Sequence, residues 1–175
     1  MVKVRQKAPT FEETAYVKGE FKTVKLSDYK GKWVVLFFYP LDFTFICPTE
    51  IERFAQMEKD FQKHNAVVLA ASTDSEFSHK NWFESDTRLK GVKYPVIADT
   101  AHRLSSAYGV LLPDKGVALR GTFIIDPDGT LRYSVVSDLS VGRNVDETLR
   151  ALQALQSGEL CPVEWEPGQK TLGKA

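Results

Sequence analysis

A chain of 175 residues with 23 basic and 23 acidic side chains is enough for one ordinary globular domain and not comfortably two. Its hydrophobic share of 43%, including 11 Phe, 3 Trp and 6 Tyr, supplies a core and excludes global disorder, while no apolar run nears the ~18 residues of a membrane span. Zero formal net charge gives no long-range field to gather phosphate backbones or acidic substrates, so neither nucleic acid nor membrane is expected as a partner.

The first thirty residues mix charge with a short β-like run, Phe21 to Leu26, and end in the polar turn SDYKGK. Seven consecutive apolar residues, Trp33 to Tyr39, closed by Pro40, then predict a strand buried on both faces. The period changes after it. Ile51, Phe54, Ala55, Glu58 and Phe61 fall at helical spacing, Pro48 suits a first turn, and Glu50 and Glu52 place negative charge near the helix start. Ala66 to Ser72 reads as a second buried strand, followed by a helix over 75–85 opened by Asp74. Tyr94 to Ala98 predicts a third strand, and a short helix over 101–108 ends at Gly109, which suits a C-cap. RGTFIID-PDG-TLRYSVV has the pattern of a β-hairpin, and Val145, Leu149, Leu152 and Leu155 mark one face of a last helix stopping near Gly158. The tail CPVEWEPGQKTLGKA reads as an irregular arm. Strands alternating with helices predict an α/β fold with a mixed sheet, the hairpin supplying its antiparallel part.

The two cysteines, Cys47 and Cys161, lie 114 positions apart; neither belongs to a CxxC, and the three histidines give no zinc-type spacing, so no metal is expected. The N-terminus lacks an apolar signal region, which makes a reducing, cytoplasmic compartment the expectation and a permanent structural disulfide improbable there. Each thiol therefore needs its own account. Cys47 sits where the strand from Trp33 has ended and the amphipathic helix begins. Unpaired backbone N–H groups and the positive helix end favour thiolate at that address, and the carboxyl end of a central strand is where open α/β sheets place active sites. The alternative is a small, inert, buried hydrophobe.

Within PLDFTFICPTE, residues Pro40, Thr44 and Cys47 stand in the order PxxxTxxC, and this string resembles the active-site loop of peroxiredoxins. The resemblance continues through KAPTF, DSEFSHKNW, RGTFIIDPDG, VGRNVDETLR and GELCPVEWEPG, and is closest to the typical two-cysteine group that includes the alkyl hydroperoxide reductase C subunit. It implies a thioredoxin-like fold, a central mixed sheet flanked by helices, over 1–160, with a C-terminal arm over 161–175. By resemblance Cys47 is the peroxidatic cysteine, whose thiolate attacks a peroxide oxygen and becomes a sulfenic acid. Thr44 then offers its hydroxyl to thiolate or substrate, though a plain helix cap is its alternative. Pro40 shields the thiolate or simply ends the strand. Arg120 matches the active-site arginine, a fixed charge with several donors, where composition alone would leave it a solvated cation. Glu50 and Arg143 match supporting positions that would orient Arg120 and the Cys47 loop, with a surface ion pair as the alternative.

The resemblance makes Cys161 the resolving cysteine, which attacks the Cys47 sulfenic acid of a partner subunit; the residues alone leave open whether such a bridge lies within or between chains. It further implies a peroxide substrate, no cofactor, and thioredoxin or a flavin-containing disulfide reductase as electron donor. Homodimers assembling into a ring, commonly a decamer, are also implied, and a holdase chaperone activity of the oligomer is the alternative function. Two features of overoxidation-sensitive members are missing: 85–95 lacks a GGLG insertion, and no YF pair follows Cys161. Faster disulfide formation is the expectation from both.

Overall fold

A computed structural model describes residues 2–174. The chain divides into two compact units, one running to Arg143 and the other from Asn144 onward.

The first unit is organised by a seven-stranded mixed sheet. Its strands are β1 (Glu12–Val17), β2 (Glu20–Lys25), β3 (Trp33–Phe38), β4 (Ala66–Ser72), β5 (Val96–Ala98), β8 (Arg120–Ile125) and β9 (Leu131–Ser137), in the spatial order β2-β1-β5-β4-β3-β8-β9. A separate two-stranded ribbon joins β6 (Leu111–Leu112) to β7 (Val117–Ala118). Strands β3, β4 and β5 are parallel, and helices α1 (Cys47–Lys63) and α2 (Glu76–Ser85) provide their crossovers. The hairpin β8–β9 is antiparallel as expected. A second antiparallel pair, β1–β2, closes the opposite edge, and β1 was not legible because its run EETAYV carries no clean alternation.

Strand β3 is buried on both faces, as its unbroken apolar run predicts. The pleat sends Val34, Leu36 and Phe38 into a core shared with Leu69, Leu104, Tyr108 and Phe123. On the other face Phe37 stacks on Phe54 of α1, ring centroids 4.2 Å apart, and meets Tyr94 edge-on. Ile51, Phe54, Met57 and Phe61 form the buried stripe of α1, so this helix is held directly behind the strand that leads into it.

Three local expectations are refined. Helix α2 is capped by Ser75, whose hydroxyl accepts from Ser78 N–H, and Asp74 is drawn elsewhere. Helix α3 (Arg103–Tyr108) starts two residues later than expected because His102 adopts φ 59°. Third, β5 begins at Val96, after the Tyr94-Pro95 pair.

The second unit holds α4 (Val145–Ser157), capped by Asn144 and ended at Gly158, whose φ of 65° suits a residue without Cβ. The expected arm, 161–175, lies in this unit together with α4. Arg150 donates to the carbonyl of Trp165 at 2.9 Å, and Leu160 and Leu172–Gly173 exchange backbone hydrogen bonds, so the arm folds back on itself. Among the described residues no helix is long and apolar enough to cross a membrane.

Gly121 marks the tightest packing behind β8: a Cβ there would lie 2.7 Å from Val110 Cγ1 and 2.8 Å from Phe123 Cε2. Gly121→Ala is expected to lower unfolding free energy by about 1–3 kcal/mol through overpacking. Urea denaturation measures it, and a midpoint equal to that of the parent chain would show that the wall yields.

Candidate active site

The chain leaves β3 at Phe38, passes through buried Pro40, and loops to Cys47, the first residue of α1. Cys47 is fully buried. The N-cap residue Ile46 provides no side-chain cap; the Thr49 and Glu50 N–H groups donate to the Ile46 carbonyl at 3.0 and 3.3 Å, and the Thr49 hydroxyl donates to it at 2.6 Å. The helix thus begins on its cysteine, with its positive end at the sulfur.

Strand β8 runs antiparallel to β3, and its first residue, Arg120, arrives beside that sulfur. Nη1 of Arg120 donates to Cys47 Sγ at 3.5 Å and to Glu50 Oε2 at 2.7 Å, while Nε donates to the Leu139 carbonyl at 2.8 Å. Glu50 lies one turn into α1, and its other oxygen, Oε1, accepts from both the backbone N–H and Nε of Arg143, each at 2.9 Å. Arg143 further donates to the Gly121 carbonyl and to Thr122 Oγ1, both at 3.0 Å, and its guanidinium lies 5.0 Å above the Phe37 ring. All three side chains are almost fully buried, at 2–4% exposure, which removes the surface-pair reading of Glu50 and Arg143 and the solvated reading of Arg120. Burial pushes the Arg143 guanidinium below its ordinary value, and the facing Glu50 carboxylate opposes that shift. Two guanidiniums and one carboxylate leave one positive charge uncompensated. The Cys47 sulfur is the group that lies against that charge, through Arg120 Nη1.

A second buried network fixes the root of the loop, and the pairing of its members carried no sequence signal. Tyr39 Oη donates to Asp42 Oδ1 at 2.8 Å; His79 Nδ1 lies 2.8 Å from Asp42 Oδ2, and its Nε2 lies 3.2 Å from the Ile97 carbonyl. The Asp42 N–H donates to Asp74 Oδ2 at 2.8 Å, and Ser72 Oγ donates to the same oxygen at 2.9 Å. Burial, then the neighbouring Asp42, raise the Asp74 carboxyl above its usual range. Polar side chains that follow an apolar strand must be satisfied if buried, yet no spacing rule joins position 42 to positions 74 and 79. The next residue, Phe43, has φ 55°, an unfavourable state for an aromatic residue worth about 1–3 kcal/mol of strain.

Thr44 donates from Oγ1 to the Leu41 carbonyl at 3.0 Å, inside the loop, and so closes a turn instead of capping α1. Its oxygen retains lone pairs for an incoming donor. Cys161 belongs to the second unit, is half-buried, and lies 3.5 Å from Ser157 Oγ; both cysteines are free thiols. Cys47, Glu50, Arg120 and Arg143 therefore form one bonded cluster, with Pro40 and Thr44 in the loop that enters it.

The profile of the AhpC/TSA family matches residues 4–134. The chain is 55% identical over 172 residues to peroxiredoxin prdx-2 of Caenorhabditis elegans, covering 94% of this chain and 86% of that protein. The crystal structure of reduced Plasmodium vivax 2-Cys peroxiredoxin superposes with TM-score 0.93 at 34% identity, covering 98% of this chain and 93% of the other. Mycobacterium bovis AhpC superposes with TM-score 0.87 at 40% identity, covering 95% and 99%.

Glu50→Gln removes the carboxylate held between two buried guanidiniums. It is expected to cost about 3–5 kcal/mol of stability, against less than about 0.5 kcal/mol for Glu52→Gln at the half-exposed position nearby. Chemical denaturation of both variants checks this, and equal losses would show that the cluster is not held by Glu50.

Proposed function

This chain belongs to the AhpC/TSA family as a typical two-cysteine peroxiredoxin, a thiol peroxidase with an antioxidant role, and from that premise we propose that Cys47 is its peroxidatic cysteine. The observation that carries the assignment is the Arg120 guanidinium on a buried Cys47 sulfur at 3.5 Å, at the start of a helix. The Cys47 thiolate attacks one peroxide oxygen, the O–O bond breaks, and the other oxygen leaves as water or alcohol after taking a proton. The sulfur is oxidised to sulfenic acid as the peroxide is reduced. Arg120 supplies donors to the stretching O–O bond, Glu50 and Arg143 hold Arg120 in register, Thr44 offers its hydroxyl to the peroxide, and Pro40 closes the loop to water.

Resolution follows by attack of Cys161 of the partner subunit on the sulfenic sulfur, forming an S–S bond and releasing water. Thioredoxin, or second a flavin-containing disulfide reductase, returns the disulfide to two thiols in the cytoplasm. Exposed Phe43, Phe45 and Phe77, at 61%, 92% and 61% exposure, support assembly of homodimers into a ring, with a decamer as the expected size.

Peroxide treatment is expected to give a dimer band on non-reducing electrophoresis, lost in both Cys47→Ser and Cys161→Ser; a band that persists in Cys161→Ser overturns the assignment of that cysteine. Arg120→Lys keeps the charge and loses the fork that reaches sulfur, carboxylate and carbonyl together. Its second-order rate constant with hydrogen peroxide is expected to fall about 10²-fold or more, read by stopped-flow fluorescence.

A further inference from the structure

At the opposite end of β3 and β8 from Cys47 lies a cavity of about 660 Å³. Val34 and Ile125, cross-strand partners in those two strands and almost fully buried, close its bottom, and its accessible apolar surface comes from half-buried Leu26, Tyr29 and Pro127. One wall is the turn after β2, with Leu26 and Tyr29, and the other is the Pro127–Gly129 turn of the hairpin. The walls are joined by a backbone hydrogen bond from Gly31 N–H to the Pro127 carbonyl at 3.2 Å, and the N-terminal segment is tied to the second wall by Ala8 N–H to the Gly129 carbonyl at 2.9 Å. Lys7 Nζ adds a bond to the Asp128 carbonyl at 2.7 Å. The hollow is therefore built before any ligand arrives, and its size falls in the range of roughly 300–1,000 Å³ typical of small-molecule sites.

Its charges are unevenly used. Asp126, on the rim, accepts from the N–H groups of Asp128 and Thr130 and pairs with Arg132 at 3.3 Å. Lys30 and Lys32 are exposed, and neither ammonium has a hydrogen bond or ion pair among the described residues. Burial, then Asp28, push the Tyr29 phenol up to about 12, so it stays a neutral donor at physiological pH. Half-buried apolar walls beside two unpaired cations, in a lining where Lys7, Lys30 and Lys32 outnumber Asp126 and Asp128, are complementary to a molecule with one flat apolar body and one negative charge. Inorganic phosphate would leave the apolar walls uncovered, and a neutral arene would leave the cations unused.

We propose that this cavity binds an aromatic monoanion, an aryl carboxylate or sulfonate, with its ring between Leu26, Tyr29 and Pro127 and its charge between Lys30 and Lys32. None of the lining residues belongs to the Cys47 cluster, so the site stands apart from the peroxide chemistry.

Equilibrium dialysis of the full chain against naphthalene-2-carboxylate tests it. Saturable binding of one molecule per chain is expected, weakened by salt, unaffected by phosphate, and weaker for the neutral isostere naphthalene-2-methanol. Reversing both charges with Lys30→Glu and Lys32→Glu is expected to weaken binding about tenfold or more. Peroxide consumption by that double variant should equal the parent's, which establishes that it is folded. Phe45→Ser, which removes an exposed aromatic far from the cavity in sequence, should leave binding unchanged. Absence of saturable binding, equal affinity in the double variant, or affinity that follows Phe45 overturns the proposal.

Discussion

The Glu50 carboxylate between Arg120 and Arg143 is the interaction on which the site depends. Each partner comes from a different part of the chain: α1, the start of β8, and the segment after β9. Buried ions of this kind gain little net stability over apolar residues of the same volume, because desolvation offsets most of the attraction. What they do secure is position. Glu50 holds Arg120 through Nη1, and that same nitrogen reaches the Cys47 sulfur, so the distance from guanidinium to thiol is set by the carboxylate one turn further along the helix.

The sheet makes that convergence possible. In the antiparallel register of β3 and β8, Phe37 stands opposite Thr122, which carries Arg120 to the same end of the sheet as the exit of β3. Arg143 then spans the pair, contacting the Gly121 carbonyl and Thr122 of β8 and lying over Phe37 of β3. Cation and ring stack on Phe54 of α1 through Phe37, so the helix that carries the cysteine is registered against both strands at once.

Much of this was legible in the sequence where it depends on local pattern. The unbroken apolar run of β3, the matching run of β4 and the helical spacing of Ile51, Phe54 and Phe61 each report burial directly, and the structure places all three as read. β1 and the short β6–β7 ribbon were not legible, since their pairing partners, and not their own composition, make them strands. Charged site residues were the hardest. Composition makes an Arg at a strand edge a solvated cation, and only the family motifs promoted Arg120, because its burial is created by residues 70 and more positions away. Asp42, Asp74 and His79 lie in strings that carry the family resemblance, PLDFTFICPTE and DSEFSHKNW, but nothing in those strings assigned them a role or joined them to one another. Asp74 even read as a helix cap, a role that Ser75 takes while Asp74 accepts the Asp42 N–H.

The same contacts divide the Cys47 region into parts that differ in what it costs to move them. The first turn of α1 lacks a side-chain cap on its N-terminus and rests on three bonds to the Ile46 carbonyl, from the Thr49 N–H, the Thr49 hydroxyl and the Glu50 N–H, worth about 0.5–1.5 kcal/mol each, and the loop before it carries the strained Phe43. Freeing Glu50 would break its pairs with two buried guanidiniums, at about 3–5 kcal/mol. On the proposed mechanism the sulfenic sulfur must leave its pocket to meet a second thiol, since bridged Cα atoms come within about 7 Å of each other. Opening residues 47–49 costs little by this comparison, and opening residue 50 costs much. On the proposed mechanism Glu50 would hold Arg120 in place for peroxide attack and also set where unwinding stops, so one carboxylate would separate the part of the helix that must move from the part that must not.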